Sequence, residues 1–285
     1  MSILLAHELG HYIVGRRHGL DMSPPLFIPF PVAFGTFGAI IRLRSLPSSR
    51  SALLEMGAAG PLAGAILAIF FIAIGLPGTE ASPPPPPPPP PEAAAEALPA
   101  LLEIPLDALD AALSWGPIGA ALDALSPPPP EDHFPVVIFN NPPVMDLLGA
   151  WLLGAPPGRF DVLTPAALAG WVGCLLTAIN LLPIGQLDGG HVANALHPAR
   201  ARAVSRGLVF AAIAAGVLWS GWAFWGLMLL AFRAWESLPV PAEPGLTRRA
   251  RSLAVAALVA FALTFMPRPV EMDALPYGAA PPEAP

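Results

Sequence analysis

The stretch LLAHELGHYIVGRRHGL, residues 4–20, begins with a run of leucine, alanine, isoleucine and valine typical of a membrane segment, and this run holds two histidines, His7 and His11, and a glutamate, Glu8. Ionisable residues in such a segment are costly and mark functional sites. On a helix, His7 and His11 lie one turn apart on one face, as two imidazoles must to bind one zinc ion. Glu8 lies beside the metal position, where it can accept a proton from water. The pattern predicts a catalytic zinc site within the membrane.

The composition predicts a multi-pass membrane protein. Hydrophobic residues make up 54% of the 285 residues and charged residues only 12%. Uncharged stretches of about eighteen or more residues suit membrane spans. The net charge of −6 argues against a nucleic-acid partner, which needs a basic face. The single cysteine, Cys174, excludes an intramolecular disulfide and is expected to be a small packing residue.

We expect an all-α fold of about six transmembrane helices with a small membrane-associated β-hairpin. Residues 207–232 exceed one bilayer crossing and fall short of two, so a break at Ser220 and Gly221 predicts a short helical pair; a single crossing is the alternative. Residues 24–44 are rich in aromatic, β-branched, Gly and Pro residues, which predicts two short strands joined by a turn near Gly35. The apolar stretches are 1–19, 51–76, 165–182, 207–232 and 252–266.

A proline-rich linker separates two halves of the membrane core. Residues 77–165 hold 23 of the 40 prolines, and nine of these stand in succession at 83–91 as a stiff extended spacer. Residues 101–115 and 144–153 alternate apolar and acidic side chains, as short helices on a membrane surface do. The predicted regions are the first half of the core at 1–76, a partly disordered extramembrane linker at 77–164, the second half at 165–268 and a disordered tail at 269–285.

The arginines predict the orientation. With a helical pair at 207–232, twelve of the fourteen basic residues, all arginine, fall on one side of the membrane, opposite Arg159 and Arg268. The positive-inside rule assigns that side to the cytoplasm. A single crossing weakens the division to nine against five. Because Arg16 closely follows His11, we expect the active site toward the cytoplasmic side of a bacterial cytoplasmic membrane.

A catalytic zinc site needs a third protein ligand and an open position for water. Asp188, in NLLPIGQLDGGH at 180–191, directly follows an apolar span, and the two glycines after it allow the backbone to come close. The alternative is that Asp188 caps the start of a helix. The sequence thus predicts zinc as the cofactor, His7, His11 and Asp188 as its ligands, and Glu8 as the base.

Three motifs occur in order: HELGH at 7–11, GAAGPLAG at 57–64 and NLLPIGQLDGGH at 180–191. Together they resemble the site-2 protease family of intramembrane zinc metalloproteases, and residues 171–191 are similar to its plant-plastid and cyanobacterial branch. The resemblance does not extend to the proline-rich linker. It implies hydrolysis of peptide bonds within or near transmembrane segments, with the lipid bilayer and a transmembrane protein substrate as partners.

The resemblance also implies roles for individual positions. Glu8 matches the family's catalytic glutamate, and Asn180 matches an asparagine that we expect to support the substrate backbone or oxyanion. The segment 24–44 matches a membrane-embedded sheet that pairs with an unwound substrate, whose amides are then free. The implied zinc ligands are His7, His11 and Asp188.

Other polar and glycine positions are interpreted from their setting. His18 follows two arginines and is expected to be a solvated interface residue. His191 is either an outer partner of Asp188 or a helix-surface residue. The glycines at 57–64 predict close helix packing, and direct substrate contact is the alternative.

Two other functions stay open from the sequence. A membrane metal transporter also carries HE-x-x-H in a membrane helix, but it needs further ligands along a path, and only Asp188 is available. A catalytically silent, truncated homologue would act as a binding protein. The intact Glu8 argues against it, and the short apolar stretch at the amino terminus argues for it.

Overall fold

The computed structural model describes residues 1–29, 36–40, 43–80, 133–240 and 245–276. Within these residues the chain is mainly helical, with two small antiparallel sheets. The helices are α1 (Ser2–Arg17), α2 (Arg50–Gly75), α3 (Pro143–Leu153), α4 (Pro165–Leu181), α5 (Asp188–Leu196), α6 (Pro198–Ala215), α7 (Ser220–Ala231) and α8 (Arg248–Thr264). The strands are β1 (Leu26–Pro29), β2 (Thr36–Ile40), β3 (His133–Phe139) and β4 (Val270–Pro276).

Hydroxyl side chains begin three of the helices. Ser49, Thr164 and Thr247 each accept a hydrogen bond, at 3.1 Å, from the backbone amide three residues further on. Such caps satisfy amides that the first turn of a helix leaves unpaired. The helices α2, α4 and α8 that they begin coincide with three of the apolar stretches predicted as spans.

Helix α2 is the centre of the larger of two compact units, which comprises residues 1–80, 140–157 and 161–269. Helices α1, α4, α5 and α8 pack around α2. Leu53 and Leu54 are fully enclosed there. The helices that carry the predicted site residues, α1, α4 and α5, therefore all pack on α2.

The membrane prediction rests on helix length and on outward apolar side chains. Among the described residues, Arg50–Gly78 is the one helical stretch long and apolar enough to cross a membrane, and α3, α4 and α7 are apolar but shorter. On α2, Ile66, Phe70 and Ile74 follow one another at four-residue spacing and are 53–71% exposed, which forms an outward apolar stripe. The count of about six spans stays a prediction.

Residues 207–232 form parts of two helices, as predicted, and the break lies at 216–219, just before the predicted position. Gly226 lets the two helices approach, since a Cβ there would lie 2.7 Å from Ile213. The helical pair is therefore confirmed. Whether the pair enters the bilayer stays a prediction.

The short elements of the larger unit also agree with the sequence. Strands β1 and β2 pair antiparallel, with Leu26 opposite Ile40, which confirms a hairpin within 24–44. Its predicted turn near Gly35 lies outside the described residues. Helix α3 matches the predicted short helix at 144–153. The prolines at 83–91 and the predicted helix at 101–115 also lie outside the described residues.

The smaller unit comprises residues 81–139, 158–160 and 270–285. Its strands β3 and β4 pair antiparallel along seven residues each, from His133 opposite Pro276 to Phe139 opposite Val270. The disordered tail predicted from residue 269 is therefore wrong for residues 270–276. Apolar and acidic residues alternate there, which is a strand pattern. The other domain boundaries stay predictions.

Candidate metal centre

Three side chains converge where α1 and α5 meet α2. The Nε2 atoms of His7 and His11 are 3.1 Å apart. Asp188 Oδ2 lies 3.1 Å from His7 Nε2 and 3.3 Å from His11 Nε2. Among the described residues, this is the one group of three or more His, Cys, Asp or Glu side chains whose ligand atoms lie within 4.8 Å of one another. The fold thus brings together the three residues predicted as ligands.

The spacing of the three atoms suits a small cation bound by all of them. In a tetrahedral zinc site with ligands about 2.0–2.1 Å from the ion, neighbouring ligand atoms are about 3.3 Å apart. The three distances here are 3.1, 3.1 and 3.3 Å. Two imidazoles and a carboxylate are also a donor set found in catalytic zinc sites, which leave one position open. Both geometry and chemistry of the residues therefore fit zinc.

The ring of His11 is oriented by the backbone of α2. Its Nδ1 atom lies 2.8 Å from the carbonyl oxygen of Met56. A carbonyl oxygen can only accept a hydrogen bond, so Nδ1 carries the proton and donates it. The lone pair of Nε2 is then free and points toward the other two ligand atoms. Such a backbone contact is how proteins commonly fix a metal-binding imidazole.

Glycines in the 57–64 motif let α2 approach both histidines. A Cβ at Gly60 would lie 2.1 Å from Nε2 of His11, and one at Gly64 would lie 3.4 Å from Cβ and Nδ1 of His7. The predicted close helix packing is confirmed. Sequence reasoning missed that these glycines make room for the imidazole rings themselves. The i, i+4 spacing of the two glycines, equal to that of the two histidines, was the available signal.

Asp188 is the first residue of α5 and its carboxylate faces the histidines. The capping position belongs to the residue before it, which makes no side-chain capping hydrogen bond. The alternative that Asp188 is a helix cap is therefore wrong. Gly189 and Gly190 allow the tight entry into α5, since a Cβ at these positions would lie 2.0 and 2.1 Å from the carbonyl oxygens of Leu181 and Ile184.

Arg50, the first residue of α2, holds the other end of α5. Its Nε and Nη2 atoms donate to the carbonyl oxygen of Ala195 at 2.8 and 2.6 Å, and Nη2 also donates to that of Leu196 at 2.9 Å. A cation at a helix C-terminus satisfies carbonyls that lack helical partners and complements the helix dipole. The short helix that carries Asp188 is thereby fixed to α2. In the sequence, Arg50 is only one of the positive charges that predict the orientation in the membrane.

A cavity of about 660 Å³ has the three ligand residues in its wall. Glu8 and Asn180, the other two predicted site residues, line the same cavity. All five predicted site residues thus share one space, although their roles stay predictions. The remaining lining residues are Met22, Leu43, Met56, Gln186, His191, Glu236, Ser237 and Leu238.

A segment between α7 and α8 supplies part of that wall, and no sequence pattern indicates it. The backbone amide of Gln186 donates to the carbonyl oxygen of Ala234 at 2.8 Å, and the side-chain amide of Asn194 donates to that of Leu238 at 2.8 Å. These bonds hold the segment against the loop before α5 and against α5. Its residues Glu236, Ser237 and Leu238 line the cavity.

His18 is paired with an acidic side chain and is not simply solvated, so that expectation is wrong. Its Nε2 lies 3.1 Å from Oε2 of Glu55, a residue of α2 with only 3% exposure. The Arg249 Nε atom lies 3.3 Å from the same oxygen, and the Thr247 hydroxyl donates to Oε1 at 3.3 Å. Burial of Glu55 against these partners explains why His18 turns inward.

Comparison with known proteins gives one family for most of the chain. Residues 1–220 match the profile of Peptidase family M50. The similar proteins include two from Arabidopsis thaliana named probable zinc metalloprotease EGY2, chloroplastic, and EGY1, chloroplastic. The first is 28% identical over 81% of this chain and 33% of its own length, and the second is 30% identical over 67% of this chain and 27% of its own.

A rice protein named probable zinc metalloprotease EGY1, chloroplastic, is 29% identical over 67% of this chain and 26% of its own length. The chain therefore spans about a third or less of the length of these relatives. No solved structure gives a significant match.

Proposed function

This chain belongs to peptidase family M50, and from that membership we propose that it is a zinc metalloprotease that hydrolyses peptide bonds within or near the transmembrane segments of membrane proteins. One observation carries the proposal. Ligand atoms of His7, His11 and Asp188 lie within 4.8 Å of one another, in the wall of a cavity that Glu8 also lines. Similarity to proteins named probable zinc metalloproteases supports it.

His7, His11 and Asp188 would hold the zinc ion. The proton on Nδ1 of His11 keeps its Nε2 available as a ligand, and the approach of α2 restricts both rings. Zinc bound there supplies a Lewis acid that makes water nucleophilic near neutral pH and polarises a peptide carbonyl. The side chains of His7 and Asp188 are largely shielded from solvent, which strengthens these electrostatic effects.

Glu8 is the proton carrier of the proposed reaction. Its carboxylate removes a proton from the attacking water, whose oxygen bonds to the carbonyl carbon of the substrate. The peptide C–N bond then breaks as Glu8 gives that proton to the leaving amine, and the hydroxyl remains on the new carboxyl group. Glu8 adjoins His7 on α1 and lines the cavity, so its position in the chain suits this role.

Two further elements would hold the substrate. The side-chain amide of Asn180 can donate to a substrate carbonyl or to the oxyanion that forms from it. Strands β1 and β2 form a small sheet, to which an unwound substrate could add as a further strand. Unwinding is needed because a helical substrate has its amides already paired.

We place the protein in a membrane as an integral, multi-pass protein of about six spans. The length of α2 and its outward stripe of Ile66, Phe70 and Ile74 support contact with lipid. The proposed core consists of residues 1–76 and 165–268, with an extramembrane linker at 77–164. The arginine distribution favours an active site toward the cytoplasm of a bacterial cell, whereas the similar plant proteins are named chloroplastic.

A matched set of carboxylate variants tests the function. Zinc-loaded protein in detergent micelles should cleave a synthetic peptide that carries one leucine-rich membrane span. The Glu8→Gln variant should retain zinc and lose cleavage, by at least about 100-fold, because the proton carrier is gone. Glu80→Gln, a control carboxylate outside the cavity, should cleave as the unaltered protein does. Cleavage is followed by mass spectrometry of the products.

Three other results would contradict the mechanism or favour another function. Unchanged cleavage by Glu8→Gln would contradict the mechanism. Zinc binding by the unaltered protein without cleavage of any membrane peptide would favour the catalytically silent binding protein. Zinc uptake into sealed proteoliposomes without cleavage would favour the transporter.

A further inference from the structure

Two polar atoms without partners belong to residues of the catalytic cavity. Among the described residues, three buried side-chain polar atoms have no hydrogen-bond partner: Thr79 Oγ1, His191 Nδ1 and Ser237 Oγ. His191 and Ser237 line the cavity that holds the predicted ligands. Unpartnered buried polar atoms are rare in folded proteins, and each calls for a physical reason. His191 is the more informative of the two because its second ring nitrogen can act in the cavity.

Helix packing fixes the position of His191. It lies three residues after Asp188 on α5 and so on the same face of that helix. The motif residue Gly57 of α2 makes room for it, since a Cβ at Gly57 would lie 2.9 Å from the His191 Cβ. The ring is therefore held at the cavity wall by α2 and α5, with no hydrogen bond needed at Nδ1.

His191 is not one of the three candidate metal ligands. The group of converging ligand atoms consists of His7, His11 and Asp188 and does not include it. Its Nδ1 has no partner, so that atom does not hold the Asp188 carboxylate in place. The interpretation of His191 as a helix-surface residue is wrong, since it lines a cavity within the larger unit. Its interpretation as an outer partner of Asp188 stays a prediction.

The enclosed Nδ1 decides which nitrogen carries the proton. A neutral imidazole has one N–H donor and one acceptor nitrogen. A proton on Nδ1 would be a buried donor without an acceptor, which proteins avoid more strictly than an unpaired acceptor. The proton is therefore on Nε2. Because the ring lines the cavity while Nδ1 is enclosed, Nε2 is the nitrogen that faces the open space.

We propose that His191 binds the substrate: its Nε2–H donates a hydrogen bond to a carbonyl oxygen of the peptide that occupies the cavity. The inference rests on the proposed function and adds a substrate contact from the helix that carries Asp188. A single helix then fixes both the metal and the peptide, so a shift of α5 would disturb their relative position. The ligand class is an extended peptide backbone, whose carbonyl oxygens are free to accept.

Two substitutions separate the hydrogen bond from the shape of the side chain. His191→Leu keeps a branched side chain on α5 and removes the donor. His191→Gln places an amide N–H close to the position of Nε2 and should restore the contact. His197→Ala is the matched control, because His197 follows α5 and its side chain is exposed. All variants are made in the full chain.

Peptide binding is measured without turnover in the Glu8→Gln background. The probe is the leucine-rich membrane-span peptide with a fluorescent label, titrated with zinc-loaded protein in micelles. His191→Leu should weaken binding about tenfold, which is the effect of one lost hydrogen bond to a well-placed acceptor. His191→Gln should bind within about threefold of its parent, and His197→Ala should bind equally well. Zinc content should be the same in all four proteins.

Cleavage with Glu8 present provides the second measurement. His191→Leu should lower kcat/KM about 10- to 100-fold, and His191→Gln should recover most of the loss. Equal peptide binding and cleavage by His191→Leu would overturn the inference, and so would loss of zinc in that variant. Cleavage that persists in Glu8→Gln would overturn the proposed protease mechanism instead, while the binding measurement still tests His191 by itself.

Discussion

Histidine–carboxylate contacts of the same length lie in the first half of helix α1 and just beyond its last residue. Near its start, His7 Nε2 lies 3.1 Å from Asp188 Oδ2. Just beyond its end, His18 Nε2 lies 3.1 Å from Glu55 Oε2. Both carboxylates belong to helices packed in the same unit. One pair nevertheless belongs to a candidate metal centre, and the other is an internal ion pair.

The surroundings of each carboxylate make the difference. Asp188 faces two imidazoles, and the structure shows no cationic guanidinium at ion-pair distance from it among the described residues. Glu55 faces one imidazole and the guanidinium of Arg249 at 3.3 Å, so its charge is already balanced. The first cluster has three converging electron-pair donors and, in the part of the chain that the structure describes, no protein cation to balance them, so it can bind a metal ion. The imidazole–carboxylate distance by itself identifies no metal site.

The largest expected effect comes from breaking the first cluster. Asp188→Ala removes one of three ligands and should lower zinc affinity by more than about 100-fold. Loss of a residue that only supports a ligand lowers metal affinity about 10- to 100-fold, so loss of the ligand itself should have a larger effect. Glu55→Gln should leave zinc affinity unchanged, because Glu55 contacts none of the three ligand atoms. Competition with a chromogenic chelator measures both. Equal losses of zinc affinity in the two variants would contradict the assignment of only the first cluster as a metal site.

A smaller effect should follow from crowding His11. Gly60→Ala sets a Cβ where Nε2 of His11 lies 2.1 Å away, so the ring must leave its ligand position. We expect zinc affinity to fall about 10- to 100-fold. The control is Gly207→Ala on α6, where a Cβ meets nothing within 4 Å. Unchanged zinc affinity in Gly60→Ala would show that the motif glycine does not set the position of the imidazole.

Release of the far end of α5 should disturb the metal centre less. Arg50→Ala removes three hydrogen bonds to the last carbonyls of α5, so Asp188 is less firmly placed. Zinc affinity should fall about tenfold. Arg202→Ala, which removes an exposed arginine from α6, serves as the control. If both variants bind zinc as the unaltered protein does, the hydrogen bonds from Arg50 to the end of α5 do not affect the position of Asp188.

The smallest effect is expected at the second cluster. His18→Ala removes the contact with Glu55 but leaves Arg249 in place, so the free energy of unfolding should fall by about 1 kcal/mol. Zinc affinity and peptide cleavage should not change. Thermal unfolding in detergent, followed by circular dichroism, measures the loss. A fall in zinc content would show that the two ends of α1 are coupled.

Local sequence patterns were sufficient to predict the residues of the candidate site. They did not predict contacts between residues that lie far apart in the sequence. The spacing of His7 and His11 follows from helix geometry, and Asp188 stood out as an ionisable residue next to an apolar span. The contact between His18 and Glu55 has no local pattern, because it joins residues 37 positions apart. Nothing in the sequence around Arg50 distinguishes a helix cap from a membrane-surface charge.

Elements of the fold also followed from the sequence where local patterns define them, but not where they depend on distant partners. Helices α1, α2, α4 and α8 follow from predominantly apolar stretches, and the caps at Ser49 and Thr247 mark where two of them begin. Strand β4 was missed because the prolines around it suggested disorder, and its partner β3 lies far away in sequence. The wall formed by Glu236, Ser237 and Leu238 depends on two hydrogen bonds to other elements, which no periodicity reveals.

X-ray absorption at the zinc edge tests the central claim most directly. For the full chain loaded with one equivalent of zinc, we predict two imidazole nitrogens and a carboxylate oxygen at about 2.0–2.1 Å. In Asp188→Ala the carboxylate contribution should disappear, while Glu55→Gln should give the spectrum of the unaltered protein. A spectrum that is the same with and without Asp188, or one with fewer than two imidazoles, would contradict the assignment of His7, His11 and Asp188 as a zinc site.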